Sequence, residues 1–254
     1  MYPEILSKKP LVEAIFEVRW ALAPQADGTL RDPYYQLLVG RLYDQVRSQF
    51  PHWEPLPTAE FPEHMFPHMI QHRFRVTEGG WPLIQLGPGL LTVNDTEGYE
   101  WPHFRNNCAF AVDALQRAYA DAKPPLAIEQ AMLRYIDADV LAAETPQDFL
   151  KKLKITTEVP GPLSEELSAK DEMIGFNLQW TFQAKKPKGI AQFRITQGKK
   201  QDQDAIIWET AILSKADDIS DFLVQSADWI HDAHQMTHDW FYKLIEGELL
   251  EKYR

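Results

Sequence analysis

The stretch PLVEAIFEVRW, Pro10–Trp20, is the one whose reading decides the fold class. Val12, Ala14, Phe16, Val18 and Trp20 fall on one side of an extended backbone, with Glu13, Glu17 and Arg19 on the other and Ile15 breaking the polarity. A period of two is what a strand with one buried face requires. A second stretch, PLAIEQAMLRY (Pro125–Tyr135), echoes the first. One interval separates Pro10 from Pro125, Leu11 from Leu126, Arg19 from Arg134 and Trp20 from Tyr135. Each stretch is read as the opening strand of one of two similar halves.

Working outward, Asp32-Pro33 predicts a helix start, with Asp as N-cap and Pro at the first helical position. The helix should run over about 33–50, because Tyr34, Leu37, Leu38, Leu42, Val46 and Phe50 recur at intervals of three and four. Pro51, Pro55, Pro57, Pro62 and Pro67 then keep the next segment out of helix and out of any central strand. Alternation returns over 68–77, and two strands at about 82–86 and 90–94 flank the turn Gly87-Pro88-Gly89. Helical spacing over about 101–122 rests on Phe104, Cys108, Val112, Leu115 and Tyr119, and Lys123-Pro124-Pro125 stops it.

The second half repeats that order. A strand is predicted over about 128–140, a short helix from Thr145-Pro146 to about Leu153, and an acidic link over 158–171. Strands follow at about 173–183, 189–196 and 205–213, with GKKQDQD as the last turn, and Asp217-Asp218 opens a helix over about 219–246. The reading is an α+β fold of two pseudo-repeats, each strand–helix–three strands–helix, forming antiparallel sheet packed against long helices. With no flexible linker between them, the halves (about 10–122 and 125–254) read as one domain with internal pseudo-symmetry.

These motifs resemble a sporadically distributed family of uncharacterised bacterial proteins of about this length. The similarity rests on PLVEAIFEVRW, on QLGPGLLTVN at Gln85–Asn94, on Tyr99, Trp101 and Phe104, and on Ala233-His234 with Phe241. It implies no activity. A looser likeness is to repeat folds of the TATA-binding-protein or helix-grip type, in which a curved sheet cradles helices.

Bulk properties narrow the function. The formal net charge of −11, from 26 basic and 37 acidic side chains, disfavours a partner made of phosphates and suits a basic one. One cysteine excludes an internal disulfide and fits a reducing, cytoplasmic setting. The start MYPEILSKKP has no apolar segment of the secretory kind, and no run approaches the roughly 18 apolar residues of a membrane span.

Candidate chemistry is sparse. His231, His234 and His238 have the three- and four-residue spacing that could set imidazoles on one helix face for a metal. A second group, His64, His68 and His72, borders the proline-rich segment. Glu13 and Glu17 on the first strand, and Glu129, Asp137 and Asp139 on the second, are the carboxylates available for acid–base work. Asn94, Tyr99 and Trp101 read as a structural corner, and Cys108 as core. No phosphate-loop, dinucleotide or nucleophile-elbow string occurs, so no cofactor and no catalytic residue is assigned.

With eight tryptophans and an acidic surface, the leading expectation is a non-catalytic protein-binding module: an adaptor, inhibitor or antitoxin/immunity-like regulator of a bacterium. Its contacts would be Trp53, Phe61, Phe66 and Trp81, and its partner another, basic, protein. The alternative is a metal-dependent enzyme or small-ligand-binding protein with a pocket between the sheet and the C-terminal helix.

Overall fold

The computed structural model describes residues 6–157 and 175–254, apart from residues 63, 97, 123, 124 and 143. The acidic link expected over 158–171 and the Lys123-Pro124 stop lie outside the described residues. The opening strand β1 (Leu11–Trp20) forms as its alternation requires and sits at the sheet centre. A two-residue hairpin of β2 (Ala23–Pro24) and β3 (Leu30–Arg31) leads to helix α1 (Tyr35–Val46). Strands β4 (His52–Pro55), β5 (His72–Arg75), β6 (Leu83–Gly87) and β7 (Leu90–Asp95) follow, then α2 (Trp101–Ala118). The remainder comprises β8 (Ile128–Val140), α3 (Pro146–Lys152), β9 (Asn177–Lys185), β10 (Lys188–Lys200), β11 (Gln203–Lys215), α4 (Phe222–Ile245) and α5 (Glu248–Tyr253).

The sheet is antiparallel, in the order β4-β5-β6-β7-β1-β8-β11-β10-β9 among the described residues. The fold is therefore mixed α+β, with five described helices. One sheet face carries the long helices. Phe16, Val18, Leu91, Val93, Leu133 and Ile212 meet Leu38, Leu42, Phe104, Leu115, Phe222 and Trp229 in one core. Phe149, Ile195, Ile206, Trp208, Tyr242 and Ile245 form a second core towards α5.

Several local expectations shift, each for a physical reason. Val12 is 40% exposed rather than buried. The β1–β8 register slips between Leu11 and Glu13, so Val12 falls on an irregularity that interrupts the alternation. Asp32 does not cap α1: its carboxylate accepts from Trp20 Nε1 at 2.8 Å, Tyr119 Oη at 2.5 Å and the Tyr34 amide at 3.0 Å. Buried, it fastens the end of β1 to both helices. The strand expected over 68–77 shortens to β5, and His68 takes a φ of +63° beside the Gly89 turn. GKKQDQD tightens to a two-residue hairpin, with Gln201 and Asp202 at φ of +51° and +65°. Asp217 and Asp218 lie in a 3-10 turn, and α4 begins later without a side-chain cap. The prolines keep β4 short and at the sheet edge, where a missing N–H does no harm.

Candidate functional site

On β8 the alternation sets Ala131, Leu133, Tyr135 and Asp137 in phase on the helix-bearing face. Thr210 of β11 lies directly across from Tyr135. These side chains floor a cavity of about 740 Å³ whose roof is α4, through His231, His234, Gln235, His238, Asp239 and Phe241. Its remaining wall comes from Leu6, Lys9 and Leu11 and from the entry to α2, with Tyr99, Glu100, Trp101 and Pro102. Proline in the first turn of α2 needs no amide partner, so the helix can start beside the cavity with Trp101 facing it.

The walls are tied together. The His234 imidazole stacks on the Trp101 indole with centroids 3.5 Å apart and planes 9° from parallel. Its Nδ1 lies 2.9 Å from the Tyr135 hydroxyl, which lies 3.0 Å from the Tyr99 hydroxyl. Burial, helped by His238 and His231, depresses the His234 pKa to about 3, so the ring is neutral at physiological pH. Burial also raises the Tyr99 and Tyr135 hydroxyls. The three groups form a neutral hydrogen-bonding chain able to orient a bound polar group or relay a proton.

Asp137 is the acidic member of the floor. It is 3% exposed, and burial pushes its pKa up to about 7 against the opposing influence of Lys200. Lys200 Nζ is itself committed to the Ala138 carbonyl at 2.8 Å.

The three histidines of α4 all line this cavity. His238 follows His234 with ring centroids 5.5 Å apart. Among the described residues, no three His, Cys, Asp or Glu side chains gather closely enough to hold a metal ion. The other histidine group lies elsewhere: His68 Nδ1 is 3.2 Å from the Gly89 carbonyl, and His72 packs between Trp53 and Tyr35. Glu13 and Glu17 project from the opposite sheet face. There Glu13 accepts from Asn94 at 2.7 Å and Glu17 from Arg19 at 2.7 Å, so both serve cross-strand and local pairing. Cys108 is buried and its thiol is driven well up, which makes it inert core.

Of the aromatic residues expected at a contact surface, Trp53, Phe61 and Phe66 are 51%, 49% and 40% exposed. Phe61 and Phe66 meet edge to face at 5.8 Å. Trp81 is half-buried beneath the Arg75 guanidinium, 5.8 Å from its ring.

Of the cavity residues that carry the site, the sequence assigned Tyr99 and Trp101 only a structural role, Tyr135 none, and Asp137 a place among the carboxylates available for acid–base work. A signal existed for one of them: Asp137 is the acidic residue in phase with the buried positions of its strand. Compared with known proteins, the chain matches no family model and no curated protein.

Proposed function

We propose that the protein binds a small organic molecule in the cavity between the sheet and α4. The observation carrying this is one half-open cavity of about 740 Å³ that joins an aromatic wall to converging polar groups with displaced pKa values. Sites for small molecules combine these features. A fragment screen monitored by ligand-detected NMR tests it. Binders should quench tryptophan fluorescence through Trp101, and Gln235→Trp at the exposed rim should abolish their binding without unfolding the chain. A screen with no binder, or binders indifferent to that variant, overturns the reading.

A second reading, a contact surface for another, basic, protein, is favoured by the exposure of Trp53, Phe61 and Phe66 near the β4 edge and by the charge of −11. Its test is a pull-down in which a partner held by the wild type is lost with Phe61→Ser/Phe66→Ser and kept with Gln235→Trp. We place the protein in the bacterial cytoplasm, on its cysteine usage. Among the described residues no helix is long and apolar enough to cross a membrane.

The two halves are further proposed to be copies of one strand–helix–three strands–helix unit within a single domain. Sheet order supports this. Outward from the central β1–β8 pair run β7, β6, β5 and β4 on one side and β11, β10 and β9 on the other, so three strands correspond and β4 is an addition to the first half.

A further inference from the structure

We infer that the cavity takes an organic cation, a protonated amine on an apolar or aromatic body, with Asp137 as its counter-ion. This rests on the small-molecule reading above and names the chemistry of that ligand.

Three features carry it. Asp137 lines the cavity, is almost wholly shielded from bulk water, and among the described residues its carboxylate accepts no hydrogen bond and enters no ion pair. Among the described residues its oxygens are not fully buried and open onto the cavity, where an incoming ammonium would supply a donor and the opposite charge. The surroundings also select for an organic cation. Glu100 and Asp239 line the same space, and the basic side chain there, Lys9, is turned onto the Tyr99 carbonyl. Trp101, Tyr99 and Phe241 line the same space, and the Lys9 ammonium already lies 5.9 Å from the Tyr99 ring centroid, the kind of contact aromatic rings make with ammonium groups. A bare metal ion would instead need several oxygen or nitrogen donors around one point, and among the described residues no such cluster exists.

The charged and titratable groups around Asp137 are Lys200 on β10, Tyr135 on β8, Tyr99 and Glu100 before α2, Lys9 before β1 and Tyr253 on α5, with His231, His234, His238, Asp239 and Tyr242 across the cavity on α4. Burial holds Asp137 partly protonated near neutrality, so binding a cation expels that proton and affinity should rise with pH until the carboxyl is fully ionised.

The experiment compares 2-phenylethylamine with its neutral analogue 2-phenylethanol and its anionic analogue 3-phenylpropionate by titration calorimetry. Wild type and Asp137→Asn are measured at pH 6 and pH 8. The amine should bind about tenfold or more tightly than the alcohol at pH 8, with the preference narrowing at pH 6. The anion should bind worst. In Asp137→Asn, whose folding is checked by its thermal transition, the preference for the amine and its pH dependence should vanish while the alcohol binds as before. Equal binding of all three probes, or a preference surviving in Asp137→Asn, overturns the assignment and leaves the small-molecule pocket standing. Silence towards every probe overturns it too, and the fragment screen then decides separately whether the pocket binds anything.

Discussion

Burial keeps His234 neutral and Asp137 partly protonated near neutrality, and their effects on stability run in opposite directions. The Asp137 pKa is raised from 3.8 to about 7, so its contribution to stability is fully present below pH 4 and is lost as pH rises towards 7. The His234 pKa is lowered from 6.5 to about 3, so its contribution is fully present above pH 6.5 and is lost as pH falls towards 3. Between those limits the two slopes largely cancel. Each pKa unit is worth about 1.4 kcal/mol, so each group alone should tilt the profile by a few kcal/mol. Relative to wild type, Asp137→Asn should gain stability as pH rises from 4 to 7. His234→Gln should gain relative stability as pH falls from 6.5 to 3. Urea denaturation at a series of pH values checks both, and parallel profiles for all three proteins would show that burial does not displace these two pKa values.

At the scale of elements, β1 and α3 contrast two ways of stabilising local structure. Phe16 is fully buried on β1 and packs against Phe222 and Trp229, with ring centroids 6.5 and 6.3 Å away. Phe16→Ala removes that packing and leaves a void at the sheet centre, a loss of about 3–5 kcal/mol. Thr145 caps α3 in the open, its Oγ1 accepting from the Asp148 amide at 3.2 Å, with Pro146 in the first turn. Thr145→Ala should cost only about 1 kcal/mol. Chemical denaturation of the two variants measures both, and a Thr145 effect matching that of Phe16 would contradict this division. The cap at Thr145 was legible because the sequence signal and its partner lie in one turn. Asp32-Pro33 carries a similar signal, yet the Asp32 carboxylate was captured by Trp20 and Tyr119, partners no local rule could foresee.

Over the whole molecule, the sheet order predicts a gradient of opening. The central strands β1 and β8 are hydrogen-bonded on both sides, while β4 and β9 each have one free edge among the described residues. Amide hydrogen exchange should be slowest along β1 and β8 and fastest along β4 and β9. Uniform protection across the sheet would argue against that order. Separating the halves between residues 122 and 125 would expose the β1 edge of one piece and the β8 edge of the other. Neither piece should fold alone as it does in the intact chain, which circular dichroism of each would report.

The sequence by itself determined the alternating strands, the amphipathic helices, the sheet-and-helix class and the core role of Cys108. Each of these follows from periodicity or composition, which are local properties of the chain. It also marked the α4 histidines as a face worth watching, through their spacing alone. Only the tertiary structure decided that this face closes over Tyr135, Asp137, Tyr99 and Trp101 to make a cavity, because those residues come from separate elements brought together by strand pairing. The pKa displacements of Asp137 and His234 were likewise beyond the sequence. Burial displaced both, and burial exists only once sheet and helix have packed.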